Sequence, residues 1–242
     1  MKTDILTVVW KEWRAIFRVQ GGRSRILMVM FTPILLAVVM PITFDDPNVW
    51  IDGFFSILVS IIVPMLIVAV TIPDSFAGER ERNTLETLLA SRLPDRSILF
   101  GKWIVSVIFA LAITYGALIL GLVTVNIKFW GDGLLFYSLI VGIANIVLSI
   151  LMATVVAGAG ILISLRAKTV QGAAQTLMMI FLLPLVLFQV VAMLFLRQII
   201  EYIESVDGTI ILLIVVGVLL VLDVIVNFLA VNRFQRSKLI LV

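Results

Sequence analysis

The residues with the widest chemical scope sit in one internal stretch, DSFAGERERNTLETLLASR, Asp74 to Arg92, with seven charged side chains in nineteen positions. Its centre alternates sign over Glu79, Arg80, Glu81 and Arg82. Alternation leaves little net charge but many pairing options, so the chemistry on offer is specific recognition. Turnover is poorly supplied elsewhere. The chain has no His and no Cys, which removes the usual general base, the commonest metal ligand and every thiol nucleophile. No catalytic residue and no metal site is assigned.

One other ionisable group stands out. Asp223 lies inside a long apolar run, where a charged Asp costs ~2.5–3.5 kcal/mol at a bilayer centre. Asn227 follows four residues later on the same helical face. Asn145 and Gln189 could join them in an internal polar network. Such a network can line a pathway, or it can simply join helices through hydrogen bonds worth ~0.6 kcal/mol each.

The elements that must carry these groups follow from composition. Of 242 residues, 62% are hydrophobic and 14% charged, against roughly 45–50% and 25% in soluble domains. Mean hydropathy is +1.21. So much apolar surface needs lipid as a solvent. The expected fold is all-α and polytopic, a single transmembrane domain over 1–242. Six runs are long enough to span at ~20 residues each: 26–43, 54–73, 103–125, 136–165, 176–196 and 209–231. Residues 1–20 are too polar to span. Asp4, Thr7, Lys11, Arg14 and Arg18 fall on one side of a helix, with Ile5, Val9, Trp13, Ile16 and Phe17 on the other. That pattern predicts an amphipathic helix lying in the interface.

Basic residues orient the spans. Alternate connecting segments hold sixteen of the eighteen Lys and Arg residues, and none lies within a predicted span. Both termini are therefore expected in the cytoplasm. The same placement directs the positive charge to lipid headgroups, not to nucleic acid. Trp10, Trp13 and Trp103 fall at cytoplasmic boundaries, and Trp50 and Trp130 in or beside external loops. All five are expected to sit at the interface.

Residues 74–102 then form the largest internal cytoplasmic segment. Asn83 can cap a helix with Glu86 three residues later, a variant of the capping box. Thr84 to Arg92 would make about two turns with Leu85, Leu88 and Leu89 on one face, and Pro94 would end them. Asp95 can cap the following helix.

The run FAGERERNTLETLLASRLPDRSILFGKW resembles the cytoplasmic signature of ABC-2-type transporter permeases. The matching positions are Glu79, Arg80, Glu81, Asn83, Thr84, Leu85, Glu86, Leu88, Leu89, Pro94, Gly101 and Lys102, with Asn83 where the family usually has Gly. An N-terminal elbow helix and six spans extend the resemblance along the chain. It implies the membrane half of an ATP-driven exporter. Glu79, Arg80, Glu81, Asn83, Thr84, Leu85, Glu86, Leu88 and Leu89 would couple it to the ATPase through a short coupling helix. The chain itself binds no cofactor, since it has no Gly-x-x-x-x-Gly-Lys-Ser/Thr phosphate loop. ATP and Mg2+ would belong to two copies of a separate ATP-binding cassette subunit. A second permease subunit completes the pathway, a homodimer in preference to a heterodimer. The implied location is the cytoplasmic (inner) membrane. One acidic and no basic intramembrane residue points to a hydrophobic or amphipathic cargo. Two other classes compete: a membrane scaffold that recruits a cytoplasmic partner, and an ion-coupled secondary transporter. A neighbouring ATPase gene would discriminate against the first. The second usually needs several intramembrane ionisable groups.

Overall fold

The computed structural model describes residues 2–18, 22–84, 93–131, 133–194 and 208–234. These form eight helices and no strand: α1 (Lys2–Arg18), α2 (Gly22–Thr43), α3 (Asn48–Ile51), α4 (Phe54–Glu81), α5 (Asp95–Lys128), α6 (Leu139–Ser164), α7 (Val170–Leu194) and α8 (Gly208–Arg233). Five of them, α4 to α8, are long and apolar enough to cross a membrane. In α2 the apolar stretch among the described residues is the shorter Met30–Thr43. At 1.5 Å per residue, α4 and α5 exceed the ~30 Å of hydrocarbon they need to cross. Their surplus lies at the end that carries the charged stretch. Asp74 to Glu81, expected to lie beyond the second span, continues α4 without a break.

The core runs along α4, which packs against α5, α6 and α7, while α8 lies on α6 and both α1 and α2 lie on α5. Small residues set these distances. At Gly160 an added Cβ would stand 2.8 Å from Ile72 of α4 and 3.2 Å from Leu177 of α7, and at Gly158 one would stand 2.9 Å from Asn227 of α8. The run Ala157–Ser164 thus admits three neighbours, as its composition predicts. Gly116 has open space around it and serves no such approach.

Two expectations need correction. Pro94, not Asp95, occupies the position before α5, and Asp95 is its first helical residue. Asn83 terminates α4. Its φ of +55° is left-handed, whereas an N-cap takes an extended backbone. The amide of Asn83 donates to Arg80 O at 3.1 Å and that of Thr84 to Glu79 O at 2.9 Å. This is the paired closure of a Schellman turn, whose left-handed position suits Gly first and Asn next. Asn83→Gly should therefore leave thermal stability unchanged. Asn83→Ala should cost about 1 kcal/mol in unfolding measurements, because a Cβ without a compensating side chain disfavours this conformation.

Candidate functional site

The charged stretch is built into the protein's own packing. Lys102 of α5 is 1% exposed. Its Nζ lies 2.9 Å from Glu79 Oε1 and 3.1 Å from Glu12 Oε1, and it donates to Ser75 O at 2.6 Å. Lys11 stands 3.0 Å from Glu79 Oε1 and 3.7 Å from Glu12 Oε1. The Ser75 hydroxyl reaches Glu12 Oε2 at 3.4 Å. Two lysines and two glutamates thus make a neutral cluster joining α1, α4 and α5. Desolvation draws the Lys11 pKa down, but Glu79 and then Glu12 outweigh it, so it lies above the ordinary 10.5. Stability from that shift is complete below about pH 10.5 and lost as pH rises through the raised value.

The residue beside Lys102 completes the joint. A Cβ at Gly101 would stand 2.5 Å from Val8 Cγ1 and 3.5 Å from Ile5 O. Gly101 therefore lets α1 lie directly on α5, and Lys102 then fixes it there. The inward line of α1 runs through Val8 and Glu12, which are 2% and 7% exposed. This is a rotation from the expected apolar line through Val9 and Trp13, and Trp13 stays partly exposed with its ring edge to face against Phe109 at 6.5 Å. Glu12 stands off the polar line of Asp4, Thr7, Lys11, Arg14 and Arg18, and the buried cation that pairs with it is ninety residues away.

The next two charges secure the far side of α4. Arg80 donates to Ala167 O at 3.0 Å and to Leu165 O at 2.9 Å, in the turn between α6 and α7. Glu81 Oε2 accepts from the Val170 amide at 3.0 Å, where the first turn of α7 offers unpaired N–H groups and favours an anion. Arg82 turns back to Asp74 at 2.8 Å. Phe76 meets Phe234, just past α8, edge to face at 5.8 Å. One end of the bundle is therefore braced around the last two turns of α4, from which the 82–94 connector emerges. Of the residues expected to couple to a partner, Glu79, Arg80 and Glu81 engage groups of this chain, while Thr84 donates to Glu79 O. Leu85, Glu86, Leu88 and Leu89 lie outside the described residues, as does the short helix expected to carry them.

The intramembrane polar residues separate into two groups. Asn227 Nδ2 donates to Asp223 Oδ1 at 2.7 Å, and Trp103 Nε1 donates to Asn227 Oδ1 at 3.1 Å. Asn227 Nδ2 also lies 3.3 Å from Thr154 O. This group links α5, α6 and α8. Asn145 stands apart, 2.9 Å from Ser60 Oγ of α4, and its buried Nδ2 has no partner among the described residues. Gln189 is exposed on α7. Trp103 is the member that sequence reading misses, having been placed at the interface by its position near a span boundary. Trp103 is half-buried and Trp50 fully buried, while Trp10, Trp13 and Trp130 are exposed.

The family model described as ABC-2 family transporter protein matches residues 28–205. That range includes the whole charged stretch and Lys102 but neither α1 nor α8. No curated protein matches the chain significantly.

Proposed function

Because the chain belongs to the ABC-2 transporter family, we propose that it acts as the membrane permease of an ATP-driven exporter whose ATP-binding cassette subunits are separate chains. In this reading the basic end of the bundle faces the cytoplasm, α2 supplies a sixth span, and α1 is the elbow helix. The 82–94 connector carries the coupling helix, with Leu85, Leu88 and Leu89 seated in the ATPase. Two permease copies, related by a two-fold axis, flank the pathway in the inner membrane. The cargo is hydrophobic or amphipathic.

The observation that carries this reading is the brace around the last two turns of α4. A force applied at the connector meets α4 on one side and α5 on the other. Lys102 holds both of them to α1 through Glu79 and Glu12. Arg80 and Glu81 hold α4 to the start of α7. A push at the connector then moves a rigid body, because breaking the joint would strand buried charge. Rigid motion is what alternating access requires, since a soft joint would absorb the stroke. The charges of Glu79 to Glu81 accordingly transmit force within the permease, while the leucines beyond them make the contact.

Leu85→Asp with Leu88→Asp, or Glu86→Lys alone, is expected to abolish transport while leaving this chain folded. Co-purification with the ATPase should fall at least tenfold, or basal ATP hydrolysis should persist without cargo movement. Undiminished capture of the ATPase together with undiminished transport would refute the assignment.

A further inference from the structure

A cleft of about 270 Å³ lies between α5, α6 and α8. Leu99, Phe100, Trp103, Ile161 and Val224 give it apolar and aromatic walls, and Asp223 gives it a carboxylate. The neighbouring polar groups are already occupied with one another: Asn227 accepts from Trp103 and donates to Asp223 Oδ1. Asp223 is different. Among the described residues its side chain is met by that one amide, and every ion pair lies elsewhere. A half-buried carboxylate on an apolar helix is costly until a counter-charge reaches it. The walls also favour a cation, because aromatic faces attract one and a low-dielectric rim strengthens the attraction.

The position narrows the ligand further. Asp223 is ten residues before Arg233, roughly 15 Å along α8 from the basic end and so near the middle of a ~30 Å apolar layer, with the rest of the α8 lining between it and that end. Val224, Ile225 and Phe228 of the same helix are largely exposed, which gives an alkyl chain an apolar surface beside the carboxylate. Small inorganic cations are poorly matched, because they need several oxygen ligands and Asp223 brings one carboxylate.

We propose that this cleft binds an organic ammonium carrying an alkyl chain. The ammonium sits against Asp223 with the rings of Trp103 and Phe100 beside it, and the chain lies along α8. As a substrate class this rests on the permease reading above; as a binding site it stands without it.

The test uses the full chain in phosphatidylcholine nanodiscs at pH 7, with empty discs subtracted. Dodecylammonium should bind saturably and about tenfold more tightly than dodecanol, the scale of one charge-assisted contact. Asp223→Asn should remove that preference and leave dodecanol affinity within about twofold, whereas Asp223→Glu, which keeps the charge, should retain it. Equal binding of amine and alcohol by the unaltered chain would overturn the proposal, marking the cleft as an acyl-chain groove. So would an equal loss of both probes in Asp223→Asn and Asp223→Glu, which is the signature of a purely structural residue. Movement of dodecylammonium by the ATPase-loaded complex is a separate measurement. Binding without movement would count against the permease reading and leave the site intact.

Discussion

Lys102→Met is expected to destabilise the protein by about 3–5 kcal/mol, the usual penalty for removing one partner of a buried ion pair. The Met side chain keeps most of the aliphatic stem, so lost packing contributes little. The loss comes from what remains: Glu12 and Glu79, both nearly buried, and the Ser75 carbonyl, all of which aim at the missing ammonium. Lys11 cannot compensate, because its half-exposed ammonium already serves the same two carboxylates from their outer side. Unfolding of the purified chain in micelles measures the effect, and protease sensitivity of α1 locates it. Neutralising the stranded charge should reverse part of the loss, so Lys102→Met with Glu12→Gln should be more stable than Lys102→Met alone, with a coupling of about 0.5–3 kcal/mol between the two sites. A single-mutant loss below about 1 kcal/mol would mean that water enters the cluster, and the brace would then be too soft to transmit a stroke.

That cluster also marks how far the sequence is legible. Five of the six apolar runs give long helices in the expected order, α4 to α8, because each must be apolar along a bilayer's thickness whatever it packs against, while the first run is apolar only over Met30–Thr43 among the described residues. The small-residue run of α6 likewise declares itself, since close approach leaves few alternatives. Glu12, Trp50 and Trp103 do not. Glu12 reads alone as a charge and the two tryptophans as interfacial rings, and each is drawn inward by one distant partner: Lys102, Tyr137 and Asn227. Pairings across ninety residues leave no periodic trace. A local signal did exist for the joint. Gly101 and Lys102 occur together in the recognised motif, a residue that permits contact beside one that fixes it, though the sequence does not say what they contact. Asn83 carries the opposite lesson. A capping residue between two helices can serve either one, and only the sign of φ decides for the end of α4.

At the other end of the bundle, Trp50→Ala should cost about 3–5 kcal/mol, as for other fully buried aromatic residues. Trp50 sits on the single turn of α3 and is 0% exposed. Its ring fills the space left by Gly121, where a Cβ would stand only 2.3 Å from Trp50 Cζ2. Its N–H donates to the Tyr137 hydroxyl at 2.9 Å, and Tyr137 in turn donates to Leu118 O at 2.9 Å. Trp50→Phe separates the two contributions. It keeps much of the ring and loses the N–H, and Tyr137 retains its own acceptor, so the hydrogen-bond part of the loss should be only about 0.5–1.5 kcal/mol. Equal losses in the two variants would show that the hydrogen bond, not the packing, holds this end. Combining Trp50→Ala with Lys102→Met then asks a question about mechanism. Gly121 and Lys102 are nineteen residues apart on α5, about 28 Å along its axis, and share no partner. Independent sites at that distance add within about 0.3–0.5 kcal/mol. A departure beyond that limit would show α5 responding as one body, so that a displacement at the Lys102 joint reaches the Trp50 end. Transport driven from one face of a membrane needs that behaviour.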